Sequence, residues 1–322
     1  MSLPPFTPDR AVAERLDRLR GSVAEAFERA LRASIIEGAI VPAEAVRRLV
    51  ATFGLAGPRD VMLLALPVAT GLADPPLSGF HVGAVGLEAE SGDLILGGNL
   101  EFPGSDLAAT IHGEGFVATR AFARDRSLAV LATGEARPCG HCRQTLSEAA
   151  TATDLELIDP LGHTLRLADL FPWPFIPADL GESGIVVGAV PWPDLRLKAD
   201  DLPIEIAALL VRLGRRAHTP YGRCPAAIVL RLHDGRLVGG ATIESVAFNP
   251  TIGPLQAAAI ELAAHGDAYA SIGSAVLAIT PDGEVDPTEP TRSLLATIAP
   301  GAELTVTTWT DTSTIQTRAE DP

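Results

Sequence analysis

The sequence predicts an α/β protein in which helices cover a sheet, the unit occurs twice, and a small helical segment comes first. Three observations carry that expectation. Apolar residues recur at helical steps through residues 8–34, strand-like and helical runs then alternate, and a hairpin ending in Gly-Gly returns in the second half. At 322 residues the chain also exceeds what one core usually covers, so two domains are expected.

The elements follow in order. Val12, Leu16, Leu19, Val23, Phe27 and Leu31 form one apolar face with Asp and Arg between them, an amphipathic helix. A second helix is expected over residues 42–53, with Pro42 in its first turn, and a third over 59–69. Residues 81–87 and 94–97 read as strands joined by a turn at Gly92-Asp93. A helix over 112–124, a strand over Leu128–Thr133, a helix over 139–150 and short strands over 155–158 and 164–167 complete the first unit. Residues 171–203 are rich in proline and aspartate and read as an extended connector. Beyond it come a helix over 204–217, strands over 226–232 and 237–240 around Asp234-Gly235, and a helix after Pro254. The echo sets Gly97-Gly98-Asn99-Leu100-Glu101-Phe102 against Gly239-Gly240-Ala241-Thr242-Ile243-Glu244, and Pro76 against Pro220.

Composition narrows the function. With 47% hydrophobic and 20% charged residues the chain is globular rather than disordered. A net charge of −15 argues against gripping phosphate backbones, so no nucleic-acid partner is expected. The longest apolar run, 61–73, carries Pro67 and is too short for a membrane span. The first ten residues lack a basic-then-apolar signal pattern, so a cytoplasmic location is expected. Three cysteines make no disulfide framework, yet Cys139 and Cys142 are spaced for metal or redox work.

The chemistry gathers in His112-Gly113-Glu114 and Pro138-Cys139-Gly140-His141-Cys142, with Asn99-Leu100-Glu101 ahead of them. Zinc takes imidazole and thiolate, and three protein ligands leave a fourth corner for water, the count of a catalytic site. His112, Cys139 and Cys142 supply three. Pro138 is placed to begin a helix whose first turn would hold both thiols, where the dipole favours thiolate. Glu114 is the candidate proton carrier for a metal-bound hydroxide attacking an amidine-like carbon. Its placement comes from the motif, since helix positions two apart face opposite ways. A thiol–disulfide couple and a structural zinc with a further ligand remain as alternatives. The first lacks a thioredoxin-like Trp-Cys context, and His141, between the cysteines, is poorly placed for the second.

His-x-Glu followed by Pro-Cys-x-x-Cys is the pattern of zinc deaminases. With Leu77-Ser78-Gly79-Phe80-His81-Val82-Gly83-Ala84, Gly98-Asn99-Leu100-Glu101-Phe102, Arg143-Gln144, Pro220-Tyr221, Glu244, Ala247-Phe248-Asn249-Pro250 and Pro254-Leu255-Gln256, the sequence resembles cytidine deaminase, in the larger two-copy homodimeric bacterial type. The resemblance implies a three-layer α/β/α fold with a mixed five-stranded sheet, duplicated behind the helical N-terminal segment. Its units would span 1–57 (helical), 58–180 (catalytic), 181–202 (connector) and 203–322 (degenerate). It implies one Zn2+ per chain on His112, Cys139 and Cys142, catalysis by Glu114, and cytidine and 2′-deoxycytidine as substrates in pyrimidine salvage.

Substrate contacts are implied for Phe80, which would stack on the base, for Asn99 and Glu101 on the sugar hydroxyls, and for the Gly113 N–H on the base carbonyl. Phe175 would cover the partner subunit's site in a homodimer. A plainer role for Asn99 and Glu101 is to close a strand-end turn, and for Phe175 to anchor the connector. Two departures stand out. Gly113 replaces the usual alanine, expected to loosen the wall beside the base, and Pro254-Leu255-Gln256 occupies the place of His112-Gly113-Glu114 in the second copy, with no Cys-x-x-Cys after it. Cys224 is expected to be an inert packed thiol.

Overall fold

The computed structural model describes residues 6–134, 137–197 and 202–310; the ends of the first and last expected units lie outside these. The N-terminal segment folds as α1 (Arg10–Arg32), a two-residue strand β1 (Ile40–Val41) and α2 (Ala43–Phe53). Asp9 caps α1 by accepting the Ala11 N–H at 2.9 Å. Pro42 stands one residue before α2, at its cap rather than inside its first turn.

The first copy comprises α3 (Pro58–Thr70), β2 (Gly83–Glu88), β3 (Leu94–Gly98), α4 (Gly113–Ala123), β4 (Leu128–Thr133), α5 (Gly140–Leu146), β5 (Glu156–Ile158), β6 (Thr164–Arg166) and the one-turn α6 (Leu167–Leu170). Its sheet runs β1-β3-β2-β4-β5-β6, with β4–β5 parallel and the other pairs antiparallel. The five expected strands are therefore joined by a sixth from the N-terminal segment. The second copy comprises α7 (Ile204–Arg216), β7 (Ala227–Leu232), β8 (Leu237–Ala241), α8 (Pro254–His265), β9 (Ile272–Ile279), α9 (Thr288–Ile298) and β10 (Glu303–Thr308). Among the described residues its sheet has four strands, β10-β9-β7-β8, again with one parallel pair.

Helices lie on both faces of each sheet, and the pleat shows it. A Cβ on Gly97 would fall 2.6 Å from Phe116 of α4, whereas one on the next residue, Gly98, would meet the chain just past α3 at Ala73. In the second copy Gly240 has the same close approach to α8, 2.4 Å from the Pro254 oxygen. Only glycine lets the helix come this near.

The duplication is legible in register. Both copies carry a bulge at the matching place, between Leu87 and Glu88 and between Arg231 and Leu232. Leu100 bridges Ile111 as Ile243 bridges Ile252. This pairing corrects the sequence echo by one residue. Glu101 matches Glu244 and Asn99 matches Thr242, while Gly253-Pro254-Leu255, not Pro254-Leu255-Gln256, takes the place of His112-Gly113-Glu114. Gln256 instead caps α8 by accepting the Gly253 N–H at 2.8 Å, and it donates to Ala109 O at 2.9 Å, tying the copies together.

One continuous core of buried residues runs from Leu16 and Leu31 through Val85, Leu96 and Phe116 to Ile228, Leu255 and Leu277. α4 and α8 pack against each other, and the buried Arg120 of α4 pairs with Glu261 of α8 while donating to Gly38 O at 2.8 Å. The connector is less detached than its composition suggests. Trp192 and Leu195 are buried in the second copy, and the Trp192 indole donates to Ala217 O at 3.1 Å. Among the described residues no single helix is long and apolar enough to cross a membrane.

Candidate metal centre and active site

Two helix starts meet at the site. His112 is the N-cap of α4 in extended conformation, and Cys139 is the N-cap of α5, its sulfur accepting the Cys142 N–H at 3.4 Å. Pro138 therefore precedes the cap instead of opening the helix, and Cys142 alone lies in the first turn. His112 Nδ1 stands 3.3 Å from Cys142 Sγ and 3.5 Å from Cys139 Sγ, and the two sulfurs are 3.5 Å apart. Both cysteines are free thiols.

These separations suit zinc. Ideal bond lengths around a tetrahedral ion put two sulfurs about 3.8 Å apart and sulfur and nitrogen about 3.6 Å apart. Among the described residues the group comprises these three donors, all within 4.8 Å of one another. Burial first, then the charges of Glu114 and Cys139, push the Cys142 thiol far above its ordinary value. A dication reverses that balance and draws out the thiolate. The buried Glu114 follows in the first turn of α4, its Oε2 3.5 Å from Cys142 Sγ.

A braced loop forms the rim. Glu101 Oε2 accepts the N–H groups of Leu77 and Ser78 at 2.9 and 2.8 Å, and Oε1 accepts the Ser78 hydroxyl at 2.6 Å. Burial alone would raise the Glu101 carboxyl; the Ser78 hydroxyl and amide, the Leu77 amide and then His112 outweigh it and hold it below its ordinary 4.5. Asn99 accepts the Val82 N–H and donates to Phe80 O, both at 2.9 Å. Asn99 and Glu101 thus close the strand-end turn, as their plainer role requires, and Phe80 stands at its tip, 58% exposed. Phe175 is exposed too, but its carbonyl is held by Gln144 of α5 at 2.7 Å.

Gly113 lies against β2. A methyl there would sit 3.1 Å from the Ala84 methyl of β2, so it would press on the helix–sheet contact rather than stand in open space. Ser78, Gln144 and Arg143 went unread in the sequence. Arg143 donates to Pro138 O and Leu170 O at 2.9 and 2.8 Å and so braces α5. Ser78 and the Arg143-Gln144 pair lie inside the deaminase-like motifs, but nothing local announces what their side chains reach.

Comparison with known proteins bears on this geometry. Sequence profiles described as the cytidine and deoxycytidylate deaminase zinc-binding region match residues 58–154 and again 167–292. A cytidine deaminase from Vibrio cholerae serotype O1 is 32% identical over 263 residues, 81% of this chain and 87% of its own. The chain belongs to the cytidine deaminase family. A Shewanella cytidine deaminase is 34% identical over 74% of this chain and 79% of its own. A solved variant of the Mycobacterium tuberculosis cytidine deaminase aligns with 36% of this chain and 97% of its own at 27% identity and a TM-score of 0.33. Zinc is the metal of the matched region, and the donor set of His112, Cys139 and Cys142 fits it.

The second copy keeps the brace, and among its described residues no donor group matches that of the first. Glu244 accepts the N–H groups of Tyr221 and Gly222, each at 2.9 Å, as Glu101 does at Leu77 and Ser78. Gly253 and Leu255 stand where His112 and Glu114 do in the first copy, and neither offers a ligand or a carboxylate. Cys224, the remaining thiol, is buried, and burial raises it above its ordinary value.

Proposed function

We propose that this chain hydrolyses the amino group from cytidine and 2′-deoxycytidine, releasing ammonia and giving uridine and 2′-deoxyuridine. The observation that carries the reading is a buried carboxylate, Glu114, beside a three-donor group with zinc-like separations. His112, Cys139 and Cys142 would hold the ion. Zinc, when bound, supplies the Lewis acidity that makes water nucleophilic at neutral pH.

The protons are the work of Glu114. It takes one from the attacking water and delivers it to the ring nitrogen. It then takes the remaining proton of the newly added hydroxyl and gives it to the amine, which leaves as ammonia while the carbonyl forms, so that one carboxylate serves every transfer. Its burial keeps bulk water from competing. Phe80 offers a flat ring to the pyrimidine. Asn99 and Glu101 retain unused acceptor and donor capacity for the sugar hydroxyls, and the Gly113 N–H at the start of α4 has no intrahelical partner to compete with the base carbonyl.

We read residues 58–180 as the catalytic unit, 203–322 as the non-catalytic one, 181–202 as their connector and 1–57 as the helical cover. A cytoplasmic homodimer serving pyrimidine salvage, with Phe175 of each protomer over its partner's site, completes the proposal. The net charge of −15 supports a free nucleoside over a polynucleotide substrate. Ammonia release from cytidine, cytosine and cytidine monophosphate tests it. Turnover should be greatest for cytidine, because the Glu101 carboxylate repels a phosphate; preference for the monophosphate, or no turnover of any, contradicts it.

A further inference from the structure

α5, with Cys139 at its N-cap and Cys142 in its first turn, is a helix of 7 residues, too short to hold itself in place. Its own copy fixes one side through Arg143 and Gln144. The other side is fixed from the second copy. Glu148, two residues past the end of α5, is 2% exposed. Its Oε1 accepts from His218 Nε2 at 2.8 Å and from the Tyr221 hydroxyl, and its Oε2 accepts the Val246 N–H at 2.9 Å. All three donors belong to the second copy. Near the start of α5, His141 Nε2 lies 3.3 Å from Asn249 O, a second tie to the same copy.

Tyr221 does not reach Glu148 by chance of packing. Glu244 accepts the N–H groups of Tyr221 and of its neighbour Gly222, and so fixes the turn that presents the phenol. Burial, then the hydrogen bond and charge of Glu148, push that phenol far above its ordinary value, so it remains a donor. In the first copy the same carboxylate-and-turn device carries Leu77 at the matching position, which has no hydroxyl to give, and ends at Phe80 on the rim. One device thus faces substrate in one copy and the thiol helix in the other.

We propose that Glu148 is a positioning residue for the metal centre: through Glu244, Tyr221 and Glu148 the second copy, which shows no metal-binding group among its described residues, holds the helix start that presents Cys139 and Cys142 and sets how firmly zinc is retained. The inference rests on the reading of His112, Cys139 and Cys142 as zinc ligands. Groups that orient ligands commonly change metal affinity 10–100-fold. Glu148 acts through the helix and touches no ligand, so the effect belongs at the low end, about tenfold.

The test uses the zinc-loaded full chain with Glu148→Gln, Tyr221→Phe and both together. Transfer of zinc to a chromophoric chelator is timed, and thermal unfolding is recorded alongside. Tyr221→Phe removes a single hydroxyl, so it keeps the test open should Glu148→Gln fail to fold. Each single variant should release zinc about tenfold faster, with the double variant no faster than the worse single one, because both act on one path. Arg48→Ala, at an exposed position of α2, should release zinc at the parental rate. Variants that melt earlier yet release zinc at the parental rate overturn the proposal, since Glu148 would then only join the copies. A parent chain that takes up no zinc overturns both this and the ligand reading. A parent that binds zinc, releases no ammonia from cytidine and still shows the tenfold change overturns the deaminase reading alone.

Discussion

Glu101 and Glu244 occupy matching positions at the ends of matching strands, and each accepts two N–H groups from a matching turn. Their carboxyls nevertheless move in opposite directions. Burial is the largest influence on both, and it wins at Glu244, which lies above its ordinary 4.5. At Glu101 the Ser78 hydroxyl, with the amides and His112, wins instead. Gly222 stands where Ser78 does and has no hydroxyl to offer, and the Glu148 charge raises Glu244 further. The geometry of the fold survives in both copies, then, while the chemistry depends on a handful of side chains added at helix starts and turns. On the proposed reading His112, Glu114, Cys139 and Cys142 are what make one copy a site, while the other shares its scaffold.

The sharpest way to break this contrast is to treat the two helix starts alike. Glu114→Gln should lower ammonia release from cytidine by about 10³-fold with zinc content unchanged, whereas Leu255→Val at the matching place should leave turnover within twofold of the parent, about 0.4 kcal/mol on the barrier. Equal losses would erase the distinction between the copies.

A smaller effect sharpens the carboxylate comparison. Carboxyl NMR should find Glu101 titrating below 4.5 and Glu244 above it. The stability from Glu101 is present above its unfolded value and lost as pH falls through its lowered folded value. Glu244 has the opposite sign: its contribution is full below the unfolded value and lost as pH rises through the raised one. Ser78→Ala should move the Glu101 midpoint upward, toward that of Glu244, and weaken the loop by about 1 kcal/mol, with KM for cytidine rising. An unmoved midpoint would mean that the hydroxyl does not separate the pair.

The smallest effect is expected at Gly113. Gly113→Ala must move Ala84 by a few tenths of an ångström, and its gain in helix propensity offsets part of that, so stability should change by less than about 1 kcal/mol. Thermal unfolding checks it, and a large loss would show the helix–sheet contact to be tighter than the alanine usual in the family allows.

Much of this was legible in the sequence because it is local. The apolar spacing of α1, the strand Leu128–Thr133 and the motif that brings together His112, Cys139 and Cys142 all appear where expected. What escaped depends on distant partners. β9 is a nearly continuous apolar run with no alternation, as strands covered on both faces are, and α9 hides behind Pro290 in its first turn. β1 is two residues long and exists through its pairing with β3. α5 stops at Leu146, short of the expected 150, where Glu148 turns to donors 70 or more residues on in the chain. The duplication lies one residue off the sequence echo because Gly-Gly occurs in both hairpins, and it takes the strand pairing, the bulges and the bridge between Ile243 and Ile252 to fix the match.

Zinc K-edge absorption on the metal-loaded chain, with the metal counted per polypeptide, bears most directly on a division of labour between the copies. One ion per chain is expected, with two sulfurs at about 2.3 Å and lighter atoms at about 2.0–2.1 Å. A second ion, a shell filled by four protein donors, or an absorber without sulfur would contradict it.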